Sequence, residues 1–168
     1  MAQENIFDAF KYFKRLGITN RLAIQEGFKV GFCSGPQGLE DAISQFQTSD
    51  KMILIDDTTS QETFSNKVGF FRRDVYTIFI VASYCMDDMV EREEKLNLCR
   101  RLFRQFQSRM IYDQDNMTYG DKLMYLNLKY IRSMEVENYF LSGVTGLQFN
   151  VQNEEPIDLM YNADEWTE

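Results

Sequence analysis

The sequence predicts an α+β fold: a mostly antiparallel sheet of about four to five strands, with a long helix packed on one face and an N-terminal helix. Two adjoining segments carry this prediction. Residues 75–84 are almost all β-branched or aromatic, and such side chains pack well on the pleated surface of a central strand. Residues 89–110 then place apolar side chains three or four positions apart, which is the pattern of an amphipathic helix.

The segments before the central strand predict smaller elements. Residues 5–16 have one apolar face and predict a first helix, with Gly17 as its C-terminal stop. The patterns that follow predict a short helix over 21–26 capped by Thr19 or Asn20, a strand over 28–32, a turn over 34–38 and a helix over 39–46. The turn contains two glycines but no phosphate-loop or dinucleotide motif, which favours a plain turn over a phosphate site.

Residues 51–84 predict a β-hairpin. The apolar run over 51–57 is a strand, and the polar residues 58–65 either continue it as an exposed arm or form a loop. Because two strands joined by a short polar segment usually pair antiparallel, residues 51–63 are expected to pair with residues 69–84.

The long helix has a well-defined start in the sequence. Asp88 is a good N-cap, and Glu91 three positions later completes a capping box. The apolar stripe is expected to be buried, and consists of Leu96, Cys99, Phe103, Phe106 and Met110.

A polar loop is expected over 112–121. Its Asp113 and Asp115 have the spacing of two calcium ligands, but Met124 stands where a calcium loop needs a glutamate. The sequence therefore favours a solvated loop over a calcium site.

The end of the chain predicts two more strands and a tail. The expected elements are a strand over 123–134, a glycine-bearing turn over 140–146 and a strand over 147–152, which residues 153–156 end. The predicted organisation is a single α+β domain over 1–152 and an acidic C-terminal tail over 153–168.

Composition argues against several classes of function. The net charge is −8, and an acidic surface repels the phosphate backbone, so we expect no general nucleic-acid binding. The sequence has no histidine, which removes Ser-His-Asp catalysis and His-ligated metal sites. The three cysteines form no CxxC pair and fit a reduced, cytosolic compartment. No signal-peptide pattern and no apolar run of about 20 residues occur, so we expect no membrane association.

No motif predicts a catalytic residue, a cofactor or a bound metal. The competing interpretation is an enzyme in which Asp56 or Asp57 meets Asp74 across the hairpin and holds magnesium, as a metal-dependent hydrolase. The plainer explanation is that these aspartates end their elements, as aspartate commonly does.

Candidate subunit contacts lie at the entrance to the central strand, on the outer face of the long helix and in the tail. Arginine and tryptophan are enriched at protein interfaces. The candidates are Arg72, Arg73, Arg100, Arg101, Arg104 and Trp166. Plainer explanations stay open, because charged helix faces are usually solvated and Arg72 with Arg73 could form a salt-bridged sheet edge.

Over residues 51–152 the predicted element order is ββαββ. This order resembles the small tail-terminator and tail-completion proteins of tailed phages and related contractile systems, in which an N-terminal helix precedes the sheet. Residues 71–81 resemble the family's strand that opens with a basic, apolar run and leads into the helix. Residues 143–149 resemble its later glycine-bearing turn and closing strand.

The resemblance implies a non-enzymatic, ring-forming structural protein, commonly hexameric, that caps or joins a phage tail tube. Its partners would be copies of itself and other tail or connector proteins, in the cytoplasm or assembled into a virion. The family offers no catalytic residues to carry over. A monomeric protein-interaction adaptor is the remaining alternative.

Overall fold

The structure is a computed structural model that describes residues 7–35, 40–41, 44, 51–136 and 143–167. It has the predicted α+β fold, a mostly antiparallel sheet with a long helix on one face and an N-terminal helix. The helices are α1 (Ala9–Thr19), α2 (Arg21–Gln25) and α3 (Met89–Asp115), with a 3-10 helix at Ala163–Glu165. The strands are β1 (Phe28–Cys33), β2 (Lys51–Asp56), β3 (Ser60–Ser65), β4 (Phe70–Ser83), β5 (Thr118–Asp121), β6 (Arg132–Glu135) and β7 (Val144–Ile157).

Strand β4 is the centre of the sheet, which contains six of the described strands. Five follow the order β1-β2-β4-β7-β6, and the sixth, β3, also pairs with β4. One edge of β4 pairs antiparallel with β3 over residues 70–75 and with β2 over residues 78–82. The predicted hairpin is therefore confirmed. The other edge pairs with β7 over the whole length of both strands. Strand β1 pairs parallel with β2, and β6 pairs antiparallel with β7.

The sheet is buried on both faces where β2, β4 and β7 run side by side. Ile78, Ile80 and Ala82 belong to the larger core cluster, together with side chains from α1 and α3. Phe79 and Val81, which point the other way, belong to a second cluster. Burial on both faces explains why this stretch of β4 is continuously apolar and does not alternate with polar residues.

The predicted buried stripe of α3 is confirmed, since all five side chains are buried. The helix is longer than expected, however, because it continues to Asp115 and the predicted loop does not begin at Tyr112. Asp113 extends the stripe by one more step of three and is fully buried, where Tyr12 and Arg109 contact it. The polar residue Asp113 favoured a loop in the sequence, whereas in the structure it lies on the buried face of the helix.

The start of α3 follows the predicted cap with one difference. The Asp88 side chain accepts hydrogen bonds from the backbone N–H groups of Val90 (3.0 Å) and Glu91 (2.9 Å). The Glu91 carboxylate accepts from the N–H of Cys85 at 2.9 Å, where a capping box would have it accept from Asp88. Glu91 therefore also fixes the loop between β4 and α3.

Replacing Asp88 with alanine is expected to lower the free energy of unfolding by about 1 kcal/mol, because two N–H groups of the first turn lose their acceptor. Urea denaturation measures the change. Asp87→Ala is the matched control, since Asp87 is exposed and a change within about 0.5 kcal/mol is expected there. Equal losses in the two variants would contradict the capping role.

The prediction that Gly17 ends the first helix is wrong, because Gly17 lies inside α1. A Cβ atom there would be 2.6 Å from Cγ2 of Val30, so glycine permits the close packing of α1 against β1. Asn20 follows α1 and caps α2, because its side chain accepts from the N–H of Ala23 at 2.9 Å. Thr19, the other predicted cap, instead donates its hydroxyl to the carbonyl of Arg15.

The predicted strand over 123–134 is wrong for most of its length. Residues 122–125 form a turn, and only Arg132–Glu135 is a strand of the sheet. Leu123 and Leu126 are both buried, and the Gln114 side chain donates to both of their carbonyls, at 2.7 and 2.9 Å. The two buried leucines are three positions apart, and Gln114 of α3 holds their backbone in place. A strand would instead need buried side chains at every second position.

Some predictions fall on residues that the structure does not describe. Most of the expected turn over 34–38, most of the helix over 39–46 and three of the seven residues of the turn over 140–146 lie outside the described residues. Within the described ones, no helix has the length and apolar character to cross a membrane.

Candidate subunit contact surfaces

Three strands extend the sheet into an arm, which we define as residues 60–65, 70–75 and 152–157. Strand β3 is exposed except for the half-buried Phe64. The ring of Phe64 stacks on that of Phe71, its cross-strand partner, with 5.8 Å between the ring centroids. The arm is therefore a layer of paired strands with little core of its own.

Arg72 is held within the arm by two carboxylates. Its Nε lies 3.1 Å from Oδ2 of the buried Asp74, and its Nη2 contacts Glu155. Burial lowers the pKa of Arg72, but Asp74 and Glu155 outweigh burial and raise it above its ordinary value. The Arg72 side chain thus compensates the charge of a buried carboxylate.

Arg73 connects all three strands of the arm. Its Nε donates to Glu154 on β7 at 2.7 Å, and its Nη1 donates to Glu62 on β3 at 2.9 Å. The hydrogen bond with Glu154 is the main cause of the raised pKa of Arg73. The geometry supports the salt-bridged sheet edge for Arg72 and Arg73, and their contact with another subunit stays a prediction.

These ion pairs also explain why β7 runs past residue 152. Residues 153–156, predicted to end the strand, pair with residues 71–74 of β4 and continue it to Ile157. Because Glu154 and Glu155 are acidic, the sequence predicted that the tail begins there. In the structure, two arginines of β4 neutralise their charges.

The exposed tail is residues 158–167, which follow β7 and are exposed throughout. Hydrogen bonds described for this segment stay within it, and Trp166 stacks on Tyr161 with 6.4 Å between ring centroids. Large apolar side chains in it are 53% to 85% exposed, namely Leu159, Met160, Tyr161 and Trp166. The tail therefore presents an exposed surface that is both apolar and acidic.

The outer face of α3 carries the other predicted arginines. Arg100 is engaged within the chain, since it lies 2.7 Å from Glu135 and 3.2 Å from Glu93. The hydrogen bond with Glu135 is the main cause of its raised pKa. Arg101 and Arg104 are exposed, and neither forms a salt bridge with any residue that the structure describes.

Arg101 and Arg104 line a groove that continues onto α2. We define the arginine groove by the residues Arg21, Arg101, Arg104, Gln105, Ser108 and Arg109, which border two adjoining depressions of about 530 and 580 Å³. The side chain of Asn20 donates to that of Gln105 at 2.9 Å and fixes α2 beside α3. Arg21 and Arg109 were not among the predicted subunit contacts, although the spacing of Arg101, Arg104, Ser108 and Arg109 puts these four residues near one helix face.

Arg109 differs from its neighbours because its partner lies beneath the groove. Its Nε contacts the carboxylate of the buried Asp113 at 2.9 Å, and that carboxylate also accepts from the Tyr12 hydroxyl at 3.1 Å. Hydrogen bonding to Asp113 raises the pKa of Arg109, and burial together with Asp113 raises the pKa of Tyr12. The three groups form a structural link between α1 and α3.

The structure does not bring the three candidate metal ligands together. Asp56 accepts from the N–H of Gly35 and from Thr58, whereas Asp57 accepts from the Ser34 hydroxyl. Because Ile55 pairs with Ile78, Asp56 is displaced along β4 from Asp74 by about three residues, or roughly 10 Å. In the described part of the chain, no group of three potential ligand residues could hold a metal ion.

No protein-family model matches this chain, and no curated protein matches it either. Whether it belongs to the phage tail family that its element order resembles therefore stays a prediction.

Proposed function

We propose that the chain is a non-enzymatic structural protein that assembles with copies of itself, as a subunit of a ring that caps or joins a phage or phage-like tail tube. The exposed tail carries this proposal. Aromatic and methionine side chains are enriched at protein interfaces, and contiguous exposed apolar surface marks an interaction site. In the tail, four apolar side chains lie within eight residues, Leu159–Trp166; each is more than half exposed, and the ring of Trp166 stacks on that of Tyr161.

The arm supports the same proposal. At its tip Val68 is 87% exposed and Phe70 is 49% exposed, beyond the part of the sheet that α3 covers. A tail or arm that docks on a different surface of the next copy makes a heterologous contact, and such contacts close into rings or extend as filaments. The ring, the tail tube and the further tail or connector partners rest on the resemblance in element order.

The mass of the protein in solution tests self-assembly. Multi-angle light scattering of the intact chain is expected to give a mass that rises with concentration above the 19.9 kDa of one chain. A chain ending at Ile157 keeps the whole of β7 and is expected to remain a folded monomer, because it lacks the exposed tail.

Single substitutions refine this test. Trp166→Ser is expected to weaken assembly, whereas Met89→Ser, which removes an equally exposed apolar side chain elsewhere, is expected to leave it unchanged. A monomeric intact chain at every concentration would contradict the proposed function and favour the monomeric adaptor.

A further inference from the structure

We infer that the exposed tail of one copy docks in the arginine groove of a neighbouring copy, an inference that rests on the proposed self-assembly. The groove is a cluster of exposed arginines, and the tail is an exposed segment that is both acidic and apolar. The groove supplies positive charge, and the tail supplies negative charge and exposed apolar side chains.

The groove is cationic although the chain as a whole has a net charge of −8. Arg101 and Arg104 form no salt bridge with a described residue, although the charge of Arg101 contributes to lowering the pKa of Glu26 nearby. The carboxylate that pairs with Arg109, Asp113, is buried beneath the groove. Arg21, also exposed, borders the groove from the side of α2. Such a local excess of positive charge selects a negatively charged partner and speeds its association.

The tail has the matching chemistry. Residues 158–168 contain four carboxylate side chains and no lysine or arginine; those the structure describes are Asp158, Asp164 and Glu165. Guanidinium groups bind carboxylates through paired hydrogen bonds and also stack on aromatic faces, most favourably on tryptophan. Glu165 and Trp166 are neighbours in the tail, so a single arginine cluster can satisfy both kinds of contact.

The length of the groove agrees with the length that the tail can span. The groove arginines of α3 and Tyr112, which borders the same depression, span residues 101–112, or about 16 Å along the helix axis. Ten residues of extended tail span up to roughly 33 Å, so the tail can cover this length with several residues to spare.

A second copy is the occupant that the structure favours. In its own chain the tail is exposed from residue 158 to residue 167, and its described hydrogen bonds and ring stacking are all internal. It also leaves the sheet at Ile157, opposite Phe70 at the end of the arm. Because the tail begins at the end of the arm and is exposed, it can contact a neighbouring copy.

Charge reversal on both sides tests the docking. The groove variant Arg101→Glu with Arg104→Glu and the tail variant Asp164→Lys with Glu165→Lys are each expected to reduce the assembled mass, measured by light scattering, to that of one chain. An equimolar mixture of the two variants is expected to assemble again, because each contact then joins opposite charges. Lys129→Glu with Arg132→Glu, at exposed cations outside the groove, is the matched control and is expected to assemble like the parent.

The outcomes separate the inference from the proposed function. If the parent assembles and the groove variant assembles equally well, the docking site is wrong while self-assembly stands. If the two variants fail singly and also fail when mixed, although each melts like the parent, docking between copies is overturned. If the parent never assembles, the proposed function itself fails.

Discussion

Replacing Gly146 with alanine is expected to lower the free energy of unfolding by about 2–6 kcal/mol, because strain and backbone overlap each cost roughly 1–3 kcal/mol. Gly146 has φ of +145° and pairs with Val81 at the centre of the sheet. An added Cβ would overlap the carbonyl oxygen of Ile80 and lie 2.7 Å from Cα of Val81. Since both neighbours are backbone atoms, β4 and β7 would have to separate.

Urea denaturation with circular dichroism measures this loss, and Gly31→Ala is the matched control. Gly31 also lies in a strand, but a Cβ there would meet only the Leu54 side chain at 3.4 Å, an ordinary contact. We expect the control to change stability by less than about 1 kcal/mol. Similar losses in the two variants would show that β4 and β7 do not approach each other as closely as described.

Replacing Phe149 with alanine is expected to cost about 3–5 kcal/mol, the range for removing a buried phenylalanine. Phe149 is fully buried on β7, and its ring lies 4.7 Å from that of Phe103 on α3 and 6.0 Å from that of Phe13 on α1. The substitution would leave a cavity where the two helices meet the sheet.

Phe70→Ala is the control for Phe149→Ala. Phe70 is half exposed at the start of β4, so its truncation is expected to cost far less in a monomeric preparation, measured by the same denaturation. A loss at Phe149 no greater than the loss at Phe70 would contradict the assignment of the core.

The parts of the fold that the sequence predicts well are those that local pattern determines. The β-branched run of β4 and the apolar stripe of α3 need no knowledge of distant residues, and both are confirmed. The hairpin of β2, β3 and β4 follows from short polar connections, and it is confirmed as well.

The errors fall at residues whose role depends on tertiary contacts with residues distant in the sequence. Asp113 ended the predicted helix because the sequence does not show that Tyr12 and Arg109 accompany it. Glu154 and Glu155 ended the predicted strand because their arginine partners lie about 80 positions earlier in the chain. Gly17 was assigned to a helix end, whereas its close contact with Val30 depends on how α1 packs.

The candidate contact surface was predictable in part. The tail is exposed from residue 158 onward, and its Trp166 was among the predicted contacts. All five predicted arginines lie in the arm or on α3, and only the fold reveals that Arg72, Arg73 and Arg100 are ion-paired in the chain. Arg101 and Arg104 form no salt bridge with a described residue. The contribution of Arg21 requires α2 to lie beside α3, which the sequence does not show.

The fluorescence of Trp166, the only tryptophan in the sequence, tests the central claim of self-assembly through the tail most directly. Its exposed indole is expected to emit at long wavelength in dilute protein and at shorter wavelength as the concentration reaches the range where the mass rises. The shift reflects the transfer of the indole from water to the surface of a neighbouring copy. Emission that stays at long wavelength while the mass rises would contradict the claim, because the copies would then associate without covering the tail.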